Sequence, residues 1–339
     1  MFNRVAATLI CFSCACSPLL AADGDFSSYP TKTIRIIVGF LPSGGNDTLA
    51  RIVGQKLFDR LGHPVIVDNR TGAGGNLAAE LAAKAPADGY TILMASSSHP
   101  IQGLIKKNLP YDPIKDFAGV AQLVTYQSVL VVRAGLTATT VRELVAFAKS
   151  MPGRLTYASA GNGSGSHLTG ELFKSAAQIN MTHVPYRGGA QGLTDLMAGQ
   201  VDVMIPPLVG SIMPYVKEGR LRAIAVTSDV RSRLLPDLPT ISEAGVSGYY
   251  SVAWNGILAP AATPRRIIKK LNAAITEVMQ LPDVKSRLES DGMDIVRRGP
   301  EEFDVIRSAE ISKWSKIIER SGIRMMSSAA FGIRDRPTI

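Results

Sequence analysis

The chain has 339 residues, 46% of them hydrophobic and 6% aromatic, with 37 Lys and Arg against 28 Asp and Glu. That length allows two ordinary domains with a large buried core, and 31 Gly and 20 Pro are close to globular averages, which excludes a disordered, collagenous or coiled-coil chain. The net charge of +9 suggests a nucleic-acid partner, but the basic residues are spread among acids rather than gathered into a stripe with aromatics, so none is expected.

Asn3-Arg4, an uncharged apolar run from Val5 to Leu20, and the small residues Ala21-Ala22 read as an export signal over residues 1–22. Cys11, Cys14 and Cys16 all lie within it, so the exported chain is expected to carry no thiol and to use neither disulfides nor thiol catalysis. Lipid anchoring at Cys16 is not expected, because Ser13-Cys14-Ala15 is a poor lead-in. No later segment has 18 consecutive uncharged apolar residues.

The strand and helix patterns then alternate. Thr33 to Val38 is rich in β-branched residues and predicts a strand. After the break Leu41-Pro42-Ser43-Gly44-Gly45, the residues Leu49, Ile52, Val53, Leu57 and Leu61 recur at helical spacing, and Gly62 ends the run. A strand at 64–67, a second glycine break at 72–75, an Ala-rich helix at 76–85 and a strand at 90–95 complete a βαβαβ series. This rhythm predicts an open, mostly parallel sheet. Strands are predicted at 117–124, 127–132, 155–158, 182–185, 201–205, 223–227 and 250–258, with helices at 140–149, 166–177 and 190–198.

Two long amphipathic helices close the chain. Thr263 is expected to cap the first, with Pro264 in its first turn and Ile267, Ile268, Leu271, Ile275 and Val278 as its stripe. Phe303, Ile306, Trp314, Ile317 and Ile318 mark the second, and residues 325–339 are expected to form a loose tail. The closing helices need a sheet to cover. The expected architecture is therefore α/β with two lobes: residues 28–124 plus 251–324 form lobe 1, and residues 125–250 form lobe 2, inserted into it. Crossings near 120–128 and 248–256 would leave a hinged cleft, where the carboxyl ends of strands from both lobes meet.

Four strand-to-helix junctions are built of small residues: Pro42 to Asn46, Gly72 to Asn76, Ser159 to Ser166, and Arg187 to Ala190. Each presents backbone N–H groups at a helix start, where the dipole favours an anion. A phosphate does not fit the detail. No Gly-Lys-Ser/Thr follows any of these loops, and Gly161-Asn162-Gly163 lacks a third glycine, residue 166 being Ser. A carboxylate is the better match.

His63, His99, His167 and His183 have no metal-ligand spacing, so neither metal nor cofactor is expected. A secreted α/β hydrolase using His167 as base is the rival reading, but Ser164 and Ser166 lie outside any Gly-x-Ser-x-Gly elbow. His167 reads more simply as a packed or capping histidine. Asp47 reads as a first-turn carboxylate or a ligand contact, Arg187 as a carboxylate partner or a solvated charge, and Trp254-Asn255 as cleft lining or hinge packing.

Nearly the whole exported chain resembles the Bug or TctC family, the solute-binding receptors of tripartite tricarboxylate transporters. The resemblance is carried by Tyr29-Pro30-x-Lys32-x-Ile34-x-Ile36-Ile37-Val38, Asp47-x-Leu49-Ala50-Arg51, and Asn69-Arg70-x-Gly72-Ala73-Gly74-Gly75-Asn76. It continues through Asp88-Gly89-Tyr90-Thr91-Ile92-Leu93, Asn108-Leu109-Pro110-Tyr111-Asp112-Pro113-x-Lys115-Asp116-Phe117, and Tyr157-Ala158-Ser159-x-Gly161-Asn162-Gly163-Ser164. His167-Leu168-x-Gly170-Glu171-Leu172-Phe173, His183-Val184-Pro185-Tyr186-Arg187-Gly188, Gly199 to Met204 and Leu258-Ala259-Pro260 complete it.

The resemblance implies a periplasmic, monomeric, non-enzymatic binding protein that closes over a small carboxylate and hands it to membrane permease subunits or, alternatively, to a sensor kinase. It marks Phe40, Ser43, Gly44 and Asp47 in the first loop, and Ser97 and Ser98 after the third strand. In lobe 2 it marks Ser159, Gly161, Gly163, Ser164, His167, Tyr186, Arg187 and Gly188. The sequence departs from the family at Ser43, where glycine is usual, at Arg187, where lysine is usual, and at Pro206-Pro207, where polar residues are usual. The proline pair implies a less polar ligand tail.

Overall fold

The computed structural model describes residues 28–106, 108–207 and 209–321. The expected leader at 1–22 and tail at 325–339 lie outside them. The chain begins with β1 (Ile34–Val38), α1 (Gly45–Leu61), β2 (Val65–Asn69), α2 (Asn76–Ala83), β3 (Thr91–Ser96), α3 (Gln102–Ile105) and β4 (Phe117–Gln127). It continues with β5 (Val129–Arg133), α4 (Val141–Ser150), β6 (Thr156–Ser159), α5 (Gly165–Ala177), β7 (Thr182–Pro185), α6 (Gly189–Met197), β8 (Val203–Met204), α7 (Val209–Lys217) and β9 (Leu221–Val226). The last part is β10 (Val252–Pro260), α8 (Arg265–Met279), α9 (Pro282–Ser290), β11 (Met293–Arg298) and α10 (Pro300–Ser321).

The strands form two sheets. One has the order β11-β4-β10-β3-β1-β2 and the other β7-β6-β8-β5-β9, so the second sheet is inserted between β4 and β10 of the first. Both sheets are mixed rather than mostly parallel. β1 pairs in parallel with β2 and β3, but β10 runs antiparallel to both β3 and β4, and β5 runs antiparallel to β8 and β9.

Period-2 alternation places the core on both faces of each sheet. Ile34, Ile36 and Val38 pack under α1 and α8, while Ile37 packs with α2 and with Phe303 of α10. In the second sheet Leu130 and Val132 meet α4 and α5, while Val129 and Val131 meet α6 and α7. Helices therefore cover each sheet on both sides, and the chain crosses between sheets at Ser128 and again between Val226 and Val252. At the crossing Thr227 N donates to Ser128 O (3.0 Å), and Ser128 N and Ser251 N donate to the Thr227 hydroxyl and carbonyl oxygens (2.8 Å each).

Several sequence expectations are corrected. Thr263 does not cap α8. Pro264 occupies the cap position, its carbonyl accepts from Ile267 N and Ile268 N, and the buried Thr263 hydroxyl has no partner among the described residues. Between the two long closing helices lie a further helix, α9, and an edge strand, β11. The charged residues of β11 hid it, since Asp294, Arg297 and Arg298 sit where an edge strand meets water. The sequence also concealed α7, because Pro214 lies within the helix.

Candidate ligand cleft

A cavity of about 390 Å³ lies between the two sheets. From the first sheet it is lined by Phe40, Ser43, Gly44, Gly45 and Asn46 at the head of α1, and by Ser96 and Ser97 at the end of β3. From the second it is lined by Ala160, by Ser164, Gly165 and Ser166 at the head of α5, and by Gly189 and Ala190 at the head of α6. Three helix N-termini thus meet one cavity, and each contributes first-turn amides and a partial positive charge. Tyr126, Ser128, Ser251, Val252 and Ala253 of the crossing strands also line it. Met204, Pro206, Pro207 and Ile212 form an apolar wall. Charged lining comes from the last helices: Arg287, Asp291, Glu310 and Lys313.

The β1–α1 loop is organised by Asp47, which is 2% exposed. Its Oδ2 accepts from Ser43 N (2.9 Å) and Arg51 Nε (2.9 Å), and its Oδ1 accepts from Asn69 Nδ2 (2.9 Å). Burial alone would raise this carboxyl, but the bonds from Arg51, Asn69 and Ser43 outweigh it and hold the group below the usual carboxylate range. The carboxylate is fully committed to the loop and does not line the cavity. Ser43 stands at φ 68°, the left-handed region that favours glycine. The loop thus carries local strain at Ser43.

The β6–α5 loop is organised by neutral imidazoles. Gly163 N donates to His167 Nδ1 (3.1 Å), and the Ser164 hydroxyl caps α5 by accepting from His167 N (3.3 Å). His183 Nε2 lies 2.6 Å from the Ser159 hydroxyl, whose oxygen also accepts from Gly161 N (3.1 Å). The two histidine rings stack at 4.1 Å. Burial pushes His167 down to about 4; burial, followed by the neighbouring His167, pushes His183 down to about 3.

Of the residues singled out from sequence, Phe40, Ser43, Gly44, Ser97 and Ser164 line the cavity. Ser159, Gly161, Gly163 and His167 lie behind it and shape the loop. Ser98 is buried, its hydroxyl 2.9 Å from that of Ser96. Tyr186 turns away to donate to Asp195 Oδ2 (2.7 Å), Arg187 is exposed, and Gly188 is the close-approach point, where a Cβ would meet the Leu41 side chain at 3.2 Å. None of these three lines the cavity. Trp254 is core, edge-on to Phe303, while Asn255 donates to Asn46 Oδ1 (2.9 Å) and Ala95 O (3.2 Å), positioning a lining residue.

Sequence reasoning missed the contribution of α10 and α9 to the cavity, and it missed Gln102 and Asn76, whose roles lie in contacts between distant segments. No group of three or more His, Cys, Asp or Glu among the described residues is arranged to hold a metal. Among the same residues no helix is long and apolar enough to cross a membrane.

Residues 49–323 match the profile of the tripartite tricarboxylate transporter family receptor. A curated relative, the UPF0065 protein in the tcbD-tcbE intergenic region of Pseudomonas sp. (strain P51), is 38% identical over 86% of this chain and 87% of its own. Among solved structures, R. palustris Rpa4515 with adipate is 34% identical with a TM-score of 0.82, covering 87% of this chain and 98% of that one. MatC (Rpa3494) from Rhodopseudomonas palustris with bound malate is 33% identical with a TM-score of 0.82, covering 86% of this chain and all of that one, 100%. The chain belongs to the family of tripartite tricarboxylate transporter receptors, with the two-sheet α/β fold of periplasmic binding proteins.

Proposed function

We propose that this protein is a periplasmic, non-enzymatic receptor that captures a small carboxylate between its lobes and delivers it to the membrane subunits of a tripartite transporter. The observation that carries the reading is the convergence of the α1, α5 and α6 N-termini, from both sheets, on one cavity. A carboxylate there takes amide and hydroxyl donors from Ser43 to Asn46 on one side and Ser164 to Ser166 on the other. Only the closed arrangement of the lobes supplies both sets, so binding favours closure. Three or four such bonds, at roughly 1.5–3 kcal/mol each, suffice for micromolar affinity. The adipate and malate bound in the two solved relatives support this ligand class.

The working lobes are residues 28–127 with 252–321, which carry the first sheet, and 129–250, which carry the second, hinged at the two crossings; the boundary falls three residues later than the 124/125 expected from sequence because β4 runs on to Gln127. The apolar wall of Met204, Pro206 and Pro207 suits a ligand body with few polar groups. The hydrolase rival is weakened by the geometry. His167 Nδ1 already accepts from Gly163 N, and the only serine against a histidine ring nitrogen among the described residues is Ser159, which is fully buried.

The test is calorimetry and thermal shift with mono- and dicarboxylates, adipate and malate included, on wild type and Gly44→Asp. A Cβ at Gly44 comes no closer than 3.4 Å to Leu41 O, so the variant folds while a carboxylate is placed at the head of α1. The expected result is a stabilising carboxylate whose affinity falls at least a hundredfold in the variant. Unchanged affinity in Gly44→Asp, or turnover of simple esters that His167→Ala abolishes, overturns the reading.

A further inference from the structure

The lobes touch beside the cavity through an apolar cluster, Leu168 of α5 against Ile101 and Trp314, and through close backbone approaches. A Cβ at Gly74, in the loop before α2, would fall 2.3 Å from Asn162 O, and the Gly210 amide at the start of α7 donates to Asp291 O (3.4 Å). One side chain makes a buried polar bridge between the lobes at this rim. Gln102, at the head of α3 and 2% exposed, donates from Nε2 to Gly163 O of the opposite loop (2.8 Å).

Within its own lobe Gln102 is held firmly. Its Oε1 accepts from Asn76 Nδ2 (2.7 Å), and Nε2 also donates to Ser98 O (3.2 Å). Asn76 is held in turn, donating to Ala73 O (2.7 Å) and accepting from the Tyr111 hydroxyl (2.5 Å). Gly163 is consequently gripped at both ends: its N–H by His167 of its own lobe, its C=O by Gln102 of the other. Gly163 stands at φ +80°, and a Cβ there would sit 3.0 Å from Gln102 Oε1, so glycine is required for the approach. The next residue, Ser164, caps α5 and lines the cavity.

We infer that Gln102 is a positioning residue for ligand retention: a preorganised latch that holds the α5 anion loop against the first lobe only when the lobes are closed. The inference rests on the receptor reading above. Gln102 does not line the cavity, so it acts on the ligand through Gly163 and Ser164 alone. When the lobes part, Asn76 and Ser98 keep its amide in place while Gly163 O turns to water. The latch therefore adds to the closed state and nothing to the open one, and its effect falls on release rather than capture.

Gln102→Glu tests this effect. The new side chain keeps an oxygen for Asn76 Nδ2 but sets a second oxygen, in place of the donor, against Gly163 O across the cleft and Ser98 O within the lobe. The expected result by stopped-flow and calorimetry with adipate and malate is a Kd raised at least tenfold, almost all of it in faster dissociation. The association rate stays at the wild-type value, and the ligand-free melting temperature falls only by the few degrees that the lost bond to Ser98 O costs. By small-angle scattering, the variant is the more extended particle under identical conditions.

Equal dissociation rates in variant and wild type overturn the latch and leave the receptor reading standing. An affinity loss carried by slower association rather than faster dissociation also overturns it, since the residue is then merely structural. If wild type binds no carboxylate, the receptor reading fails. Scattering still decides the latch, supported by a larger radius of gyration in the variant and overturned by an equal one.

Discussion

The β1–α1 and β6–α5 loops occupy corresponding places, each leading from a strand to a helix whose N-terminus faces the cleft, yet they are held by opposite electrostatic means. The first is built around an ionised carboxylate, Asp47, ringed by Arg51, Asn69 and the Ser43 amide. The second is built around two stacked neutral imidazoles, His167 and His183. A fixed negative charge near the first loop is tolerable because Arg51 neutralises it and the carboxylate faces away from the cavity. The second loop contributes no charge, so its amides and hydroxyls would act undiluted on the carboxylate proposed above. Glycine-rich sequence alone makes the two loops look alike, and their supports separate them.

The largest expected effect is at the charged support. Asp47→Ala leaves Arg51, Asn69 and the Ser43 amide without their acceptor and costs about 3 kcal/mol of stability by denaturant unfolding. A cost below that of His167→Gln at pH 7.5 would break the contrast.

Acid provides the second test. In the fold both histidines are held neutral, with values of about 4 and about 3 against 6.5 for the free group. The unfolded chain therefore takes up protons first as pH falls. The stability contribution of these groups is complete above about pH 6.5 and is lost toward pH 4, at about 1.4 kcal/mol per pH unit for each histidine. The Asp47 contribution has the other window. Its carboxyl is lowered from 3.8, so its share is present above that value and is lost only below it. Melting temperature followed from pH 7.5 to 4 should fall, and His167→Gln should remove about one histidine's slope. In the folded protein His167 takes its proton only near pH 4 and there ceases to accept from Gly163 N, so carboxylate affinity should hold through most of this range and decline at its acid end.

The smallest effect is at Ser43. Its left-handed backbone costs roughly 1–2 kcal/mol relative to glycine. Ser43→Gly relieves this but loosens the unfolded chain, leaving a gain of up to about 1 kcal/mol by thermal melting. Ligand affinity measured alongside shows whether the hydroxyl contributes to binding.

What was legible from sequence follows a physical line. β-branched runs, helical stripes and clusters of glycine are local signals, and they marked every strand but β11, most helices and all four small-residue junctions. Pairing across the chain is not local. β10 slots between β3 and β4 and β5 between β8 and β9, which no periodicity announces, and the mixed sheets follow from these two antiparallel insertions. Asn255 reaches Asn46 and Gln102 reaches Gly163 across 209 and 61 residues, respectively, so these supports were invisible while the glycines they serve were plain. Thr263 misled because a threonine before a proline resembles a cap, although Pro264 itself takes that position.

The place of β10 has a consequence for how the molecule is made. The second sheet is complete once residue 226 has been synthesised, since all five of its strands are contiguous in the chain. The first sheet cannot close then, because β3 and β4 are not neighbours and both await a strand beginning at residue 252. A chain emerging from N- to C-terminus thus forms its inserted unit first, while β1 to β4 wait with an unpaired edge exposed. Destabilising substitutions in β10 should therefore raise losses by aggregation during synthesis more than equally destabilising ones in β9.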